Sequence, residues 1–476
     1  ITDISPYSGQ VSILSGPNFD TVKELITGLP VSNHDHGING MTFNNEGDLL
    51  VCVGGNTNAG VLANSIGGLD ESPLSASIII AETSNINFNG KIEYTEFNTN
   101  NLNNDQRFGG NVTYNNPYIK IFASGLRNTF DLVYTINEDI YATDNGGNKG
   151  YGYKSLSFNT QGDDNFIINN DKLIYVLKDK YYGHPNRNRG HPIINNGITN
   201  HYETKFRELS EPNDQNYNKP ILLLEPSVNG IIEYRSYALD NQMYGDLIIQ
   251  QFMSKTSRVI LGNKGVVSNK IDFLYPTTES LGLVLMPGGT IISMYNGINI
   301  AIPQDNTNFT KVYDIFPYRA NKQGGNTFTI SGQNFSNLAS TTVLFGNISA
   351  ELTYVSNKRI KGIIPTSNTE ISELIDIVVI TNGITTTLPN FFRYLINSNS
   401  GYTPPPSPIT PSLPQPTTTN QVEWNPVEMN NLDGLQRHEN GFISYNNKLY
   451  LIGGRGQKHV FVFTPDNGLP YKGLWE

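Results

Sequence analysis

The sequence has a single cysteine among its 476 residues, few basic residues and no long apolar run. One cysteine, Cys52, excludes a disulfide framework and a thiolate metal site, and its place in an apolar run predicts a small buried core residue. A net charge of -10 argues against nucleic acid as a partner, because binding phosphates requires a basic face. No stretch approaches the roughly 18 consecutive apolar residues of a membrane-spanning helix.

Asparagine and glycine are abundant instead, and they separate short runs rich in Val, Ile, Leu and Tyr. This alternation predicts an all-β chain of short strands and tight turns. Residues 32–60 show a recurring unit, in which a polar loop around His36 precedes a strand, a polar turn and a second strand. Residues 125–148 repeat this unit, and residues 281–295 repeat its strands. Units that recur at intervals of tens of residues are typical of a β-propeller.

Four ordered motifs lie within these units: D-H-x-x-x-G from Asp35 and His36, G-L-R-N at 125–128, D-N-G-G-N at 144–148 and Y-Y-G-H-P at 181–185. Over roughly the first 300 residues they resemble the soluble glucose/sorbosone dehydrogenase family, which includes the hedgehog-interacting-protein-like ectodomains. The resemblance implies a six-bladed propeller over residues 1–303. Only about 30 residues precede the first motif, so the first blade is expected to be incomplete.

The same resemblance implies a site, because the blade loops of these dehydrogenases hold pyrroloquinoline quinone over a calcium ion. Carried over by position, the roles are a catalytic base at His36, cofactor contacts at Arg127 and Asn128, and calcium-binding carbonyls at Gly146 and Gly147. A calcium ion bound at Asp144 to Asn148, with Asp35 or Asp171 nearby, is a candidate with or without the quinone. A histidine suits a base because its pKa lies near neutrality. Calcium prefers hard oxygen donors such as these.

Two positions depart from the family pattern. The acid that supports the catalytic histidine corresponds to Gly55, and a second cofactor-binding arginine corresponds to Leu281. The histidine therefore loses its orienting partner and the quinone loses a charge partner. The remaining polar residues can also serve as hydrogen-bonded loop structure. We accordingly favour a structural or binding site, keep calcium as a candidate ligand, and regard the quinone as disfavoured. The basic island at 184–191 is expected to be a solvated loop.

The rest of the chain divides into three further segments. Residues 304–395 resemble an IPT/TIG domain, an immunoglobulin-like sandwich, and contain alternating strand patterns such as T-F-T-I at 327–330. Residues 396–421 are dense in Pro, Ser and Thr and predict an extended spacer. Residues 422–476 resemble one blade of a kelch propeller, which would need further blades or a partner.

The module order predicts an extracellular structural or adhesive glycoprotein that binds protein or glycan partners and self-assembles. Four sequons, at Asn111, Asn308, Asn334 and Asn347, suit a secreted protein. Two alternatives stay open. One is a quinone- and calcium-dependent sugar or aldose dehydrogenase with appended binding modules. The other is a calcium-dependent glycan receptor.

Overall fold

A computed structural model shows that the chain is built from β-strands, with a short 3-10 turn at Leu338–Ser340. The structure describes residues 6–16, 21–58, 66–96, 112–148, 170–184, 186, 194–195, 198–199, 217–252, 255–276, 279–295, 297–305, 307–396, 424–426, 440–445, 448–453, 461–466 and 469–475. Within this part of the chain, no helix has the length and apolar character needed to cross a membrane. The all-β prediction is confirmed. The spacer at 397–421 lies outside the described residues.

The first half of the chain forms two four-stranded sheets and several two-stranded ribbons. A ribbon of β1 (Gly9–Ser15) and β2 (Thr21–Leu29) comes first. Blade one contains β3 (Ile38–Phe43), β4 (Leu49–Val53), β5 (Ser77–Ala81) and β8 (Ile119–Ser124), with a ribbon of β6 (Glu93–Glu96) and β7 (Val112–Asn115) before its last strand. Blade two contains β9 (Thr129–Tyr134), β10 (Ile140–Asp144), β11 (Asp171–Val176) and β14 (Leu222–Leu224), and encloses a short ribbon of β12 (Ile194–Asn195) and β13 (Ile198–Thr199).

Three further four-stranded sheets follow. Blade three contains β15 (Val228–Glu233), β16 (Leu247–Gln251), β17 (Lys255–Leu261) and β18 (Val267–Leu274). Blade four contains β19 (Ser280–Met286), β20 (Thr290–Tyr295), β21 (Ile298–Ala301) and β31 (Trp424–Pro426). Blade five contains β32 (Asn440–Tyr445), β33 (Lys448–Gly453), β34 (Phe461–Asp466) and β35 (Leu469–Trp475).

The first strands of the five sheets are neighbours in a closed order, β3, β9, β15, β19 and β32, with β32 lying next to β3. Apolar side chains fill the spaces between successive blades from one to four, and Cys52 lies fully buried between blades one and two, as predicted. This arrangement is a β-propeller. The described residues form five blades, where the family resemblance implied six.

The last blade differs from the sequence prediction of a separate domain. In the structure, β31 pairs with β21 and so completes blade four, and β32 packs against both β19 and β3. Strands β31 to β35 thus lie in the same ring as blades one to four. The physical reason is that β21 would otherwise keep an open edge, and that blades four and one would each lack a neighbouring sheet. The relation of this blade to kelch repeats stays a prediction.

The immunoglobulin-like domain is inserted between β21 and β31. One of its sheets has the order β22 (Lys311–Phe316), β24 (Thr327–Gln333), β28 (Arg359–Ile363) and β27 (Glu351–Ser356). The other has the order β23 (Arg319–Asn321), β30 (Ile384–Leu395), β29 (Leu374–Thr381), β25 (Thr341–Phe345) and β26 (Ile348–Ser349). Phe328, Phe345 and Phe392 fill the core between the sheets. The predicted sandwich is therefore present.

The sandwich docks on the end of the propeller where turns join the first and second strands of the blades. Asp314 of β22 accepts hydrogen bonds from Ser236 Oγ at 2.6 Å and Gly288 N at 2.9 Å, which belong to blades three and four. Arg393 of β30 donates to Ile136 O at 3.2 Å and pairs with Glu138 at 2.8 Å in blade two. These bonds tie the inserted domain to three blades at once.

Aromatic contacts add to the same interface. The buried ring of Phe391 lies 4.9 Å from the ring of Tyr244 and 5.3 Å from that of Tyr237, both in the connection between β15 and β16. The guanidinium of Arg235 lies 4.0 Å above the ring of Tyr318. Because aromatic pairs and cation–π contacts require close, specific geometry, these side chains pack the two domains directly against each other.

Candidate functional site

The candidate site lies at the opposite end of the propeller from the docked sandwich. Its residues come from loops that lead into the first strands of the blades. They line a cavity of about 220 Å³, smaller than the roughly 300–1,000 Å³ of drug-sized ligand sites. The lining residues are Asp35, His36, Arg127, Asn128, Phe130, Asn145, Asn148, Asp171, Pro226, Ser227, Asn229, Phe252, Leu281 and Tyr295. Five of the predicted site residues, Asp35, His36, Arg127, Asn128 and Asp171, are thus brought together.

His36 is buried and held at both its backbone and its ring. Its amide donates to Ser32 Oγ at 2.9 Å, and its Nδ1 lies 2.6 Å from Gly55 O. A carbonyl oxygen only accepts, so Nδ1 carries the proton and Nε2 is the unprotonated nitrogen. Burial and the nearby Arg127 lower the pKa of His36 to about 4, so the ring is neutral at pH 7. Asp35 Oδ1 lies 3.5 Å from Nε2.

Arg127 and Asn128 connect the site to neighbouring loops. Arg127 donates through Nη2 to Asn58 Oδ1 at 3.0 Å, whereas its Nε has no partner among the described residues. Burial lowers the pKa of Arg127, and several surrounding carboxylates oppose this shift. Asn128 accepts from Asn39 Nδ2 at 2.9 Å and donates through Nδ2 to Asn145 Oδ1 at 3.2 Å. Arg127 therefore keeps unused donor capacity beside the cavity.

Among the predicted calcium ligands, Asp35 and Asp171 line the cavity, whereas Asp144, Gly146 and Gly147 do not. Asp144 is fully buried and accepts from the amide of Asn128 at 3.0 Å, outside the cavity lining. Asp171 accepts from Gly146 N at 2.9 Å and Val228 N at 2.6 Å, and burial raises its pKa. Gly146 and Gly147 are buried and do not line the cavity. In the part of the chain that the structure describes, no three acidic, histidine or cysteine side chains could jointly hold a metal ion.

The cavity does not fit the polyanionic quinone that the resemblance implies. Its lining contains two carboxylates, Asp35 and Asp171, and a single cation, Arg127. Leu281, where the family has an arginine, lies in the wall and offers only apolar surface. A ligand with several negative charges would face uncompensated repulsion in such a site. The donor set suits a neutral ligand.

Sequence reasoning missed a buried acid, Glu71, next to Gly55. A Cβ added to Gly55 would lie 3.0 Å from Glu71 Oε1 and 3.2 Å from His184 Nε2, so the glutamate carboxylate already fills the space beside this glycine. Glu71 accepts from His184 Nε2 at 2.8 Å. The expectation of a solvated loop is therefore wrong for His184, which is buried. Glu71 lies 15 positions from Asn56 and 113 positions from His184 in the sequence, so no local motif indicates these contacts.

Three of the four sequons lie among the described residues. Asn308 and Asn347 are exposed. Asn334 is half-buried, adopts a φ of 57° and donates through Nδ2 to Phe309 O at 3.0 Å. Asn111 lies outside the described residues. The structure thus offers Asn308 and Asn347 as accessible glycan acceptors and leaves Asn334 engaged.

Comparison with known proteins gives matches to solved structures and to one family model. Among solved structures, a glucose dehydrogenase shares 15% identity at a TM-score of 0.37 and covers 60% of this chain and 69% of its own. The PQQ-bound aldose sugar dehydrogenase of Streptomyces coelicolor shares 13% identity at a TM-score of 0.32, and the match covers 57% of this chain and 59% of the other. The PQQ domain of pyranose dehydrogenase from Coprinopsis cinerea shares 13% identity at a TM-score of 0.35, and the match covers 58% of this chain and 70% of the other. No curated protein matches. The IPT/TIG family model matches residues 311–394, so this all-β chain contains an IPT/TIG domain inserted into a propeller.

Proposed function

We propose that the chain is an extracellular structural or adhesive glycoprotein whose propeller binds partners and does not catalyse a reaction. The observation that carries this proposal is the docking of the IPT/TIG domain across the turn end of the propeller, opposite the end where described residues line the cavity. Ion pairs, aromatic contacts and buried hydrogen bonds hold the two domains against each other. A two-domain body with one concave surface suits binding and assembly.

The cavity chemistry supports a neutral, hydroxyl-rich ligand such as a glycan unit. Phe252 and Tyr295 pack edge to face, with ring centroids 5.5 Å apart, and present an aromatic wall. Aromatic rings can stack on the C–H face of a sugar. Asn145 and Asn229 also line the cavity and keep it polar, with their Nδ2 groups donating to Asp171, Val228 O and Ser227 O. Arg127 lines the cavity as its one cation among the described residues.

The decisive experiment measures glycan binding by the purified chain on a glycan array, followed by calorimetry with the bound sugars, with and without calcium. We expect binding without turnover. Phe252→Ala removes half of the aromatic wall and is expected to weaken binding about ten-fold, a loss of about 1.4 kcal/mol. Phe309→Ala is the matched control, because Phe309 is an exposed ring beside the IPT/TIG domain. Calcium-dependent binding would indicate a calcium-dependent glycan receptor.

Assembly is tested separately by sedimentation of the same preparation. We expect concentration-dependent self-association, since exposed strand edges and rigid surfaces favour contacts between copies. A monodisperse chain that binds neither glycans nor cell surfaces would overturn the proposal. Reduction of a dye by aldoses after addition of quinone and calcium, lost in His36→Ala, would replace it with the dehydrogenase.

A further inference from the structure

Glu71 is a buried carboxylate that the propeller fold surrounds with donors. Its Oε1 accepts from Thr57 N at 3.0 Å, Thr57 Oγ1 at 2.6 Å and His184 Nε2 at 2.8 Å, and its Oε2 accepts from Asn56 N at 3.1 Å and Ser75 Oγ. Burial opposes ionisation, but these bonds and the His184 ring lower the pKa of Glu71 to about 2. A carboxylate held by so many donors fixes the backbone that provides them.

The backbone that Glu71 holds is bonded in turn to His36, which lines the cavity. Glu71 holds the amides of Asn56 and Thr57, and the preceding residue, Gly55, accepts from His36 Nδ1 at 2.6 Å through its carbonyl. The amide of Gly55 is bonded to Arg127 O at 2.7 Å. Residues 55–57 are therefore clamped on both sides. The Gly55 carbonyl, whose bond to His36 places the proton on Nδ1, is therefore held in its orientation.

We infer that Glu71, together with His184, is a positioning residue that keeps His36 in the tautomer with Nδ1–H bonded to Gly55 and Nε2 bare toward the cavity. This inference rests on the proposed ligand-binding role of the cavity and adds the ligand's chemistry. The histidine presents an acceptor, so the ligand must bring a hydroxyl or amide donor to this point. The family pattern has an acid at the position of Gly55. Here Glu71, from another loop, supports His36 instead, by holding the backbone of residues 55–57.

The other charged groups around His36 do not fix this tautomer. Asp35 lies 3.5 Å from Nε2, with a side chain that is 39% exposed, and its carboxylate would favour a proton on Nε2. Arg127 favours a neutral ring without selecting a nitrogen. The Gly55 carbonyl is the group that places the proton on Nδ1. Its position depends on Glu71.

The test observes the ring nitrogens of His36 by NMR in protein labelled with ¹⁵N-histidine, with the signals assigned by His36→Gln. The native chain should show Nδ1 protonated and Nε2 bare at pH 7. In Glu71→Gln the tautomer ratio should move at least ten-fold toward Nε2–H, and the affinity for the array-selected glycan should fall about ten-fold. Glu233→Gln, which neutralises another buried carboxylate far from the cavity, should change neither.

A second pair of variants keeps the inference testable if Glu71→Gln does not fold. His184→Gln retains a donor to Glu71 and should preserve the His36 signals, whereas His184→Leu removes the donor and should shift them. An unchanged His36 tautomer in both Glu71→Gln and His184→Leu would overturn the inference. If the native chain binds no glycan but Glu71→Gln still shifts the tautomer, the proposed function fails while the positioning role stands.

Discussion

The buried carboxyl of Asp314 makes the interface between the two domains sensitive to pH. Burial raises its pKa to about 6, above the ordinary 3.8, although Ser236 and Gly288 donate to it. A raised pKa means that the folded chain binds more protons than the unfolded chain from about pH 4 to about pH 6. The stability from this group is complete below the ordinary pKa and is lost as pH rises through about 6. The pKa difference corresponds to roughly 3 kcal/mol.

Asp314→Asn removes the titration and keeps the hydrogen bonds, since the amide accepts from Gly288 and donates to Ser236. Relative to the native chain, the variant should gain roughly 3 kcal/mol in the free energy of unfolding between about pH 4 and pH 7.5. Urea unfolding across this range measures the gain. Asp305→Asn is the control: Lys311 holds the pKa of Asp305 below its ordinary value, so the stability that this variant loses should be constant above about pH 5 and should shrink only as pH falls further. A pH-independent difference for Asp314→Asn would refute the reasoning.

Three further outcomes follow from burial and exposure. Phe391→Ala should cost about 3–5 kcal/mol and uncouple the IPT/TIG domain from the propeller, seen as two unfolding transitions where the native chain has one. Cys52 should react with a thiol reagent only on unfolding, because it is buried and burial raises its pKa. Secretory expression and peptide mapping should find glycans at Asn308 and Asn347 but none at Asn334, whose amide is bonded to a backbone carbonyl.

Sequence patterns predicted those strands well whose side-chain periodicity and flanking turn residues lie within one short segment. The apolar run Leu49–Val53 is the strand β4, and the alternating residues 327–330 open β24. Cys52 is buried as expected. In each case, the side-chain period and the flanking turn residues lie within a few positions of the strand. The IPT/TIG domain was predictable for the same reason, because its whole sandwich is one continuous segment.

The site was predictable only in part, because its pieces come from loops far apart in the chain. The motif positions gave His36, Arg127 and Asn128, which do meet at one cavity. They did not give Glu71, because an acid next to Gly55 in space but not in sequence leaves no spacing signal. Gly146 failed as a cavity residue for a related reason: its amide is bonded to Asp171, which only the packing of two strands brings near.

Three of the five inner strands contain the dipeptide Asn-Gly near their start. Gly40 in β3 and Gly230 in β15 follow asparagines, and each lies where the next blade comes close: a Cβ on Gly40 would be 2.7 Å from Asp131 Cα, and one on Gly230 would be 2.6 Å from Leu283 N. β32 also begins with Asn-Gly, at residues 440–441. A small residue near the start of an inner strand suits the close approach of neighbouring blades, but nine Asn-Gly pairs in the sequence make the pair by itself too common to predict a blade.

This topology separates the two domains in the order of folding. The IPT/TIG domain makes its sheet contacts within residues 311–395, so it can fold as soon as that segment exists. The propeller must wait for β31 to complete blade four and for β32 to reach β3, across nearly the whole chain. We therefore expect the inserted domain to fold first and to hold three blades by their turns, through contacts such as Arg393 with Glu138, while the ring closes. Protection of the propeller strands before residues 311–395 in pulsed hydrogen exchange during refolding would contradict this order.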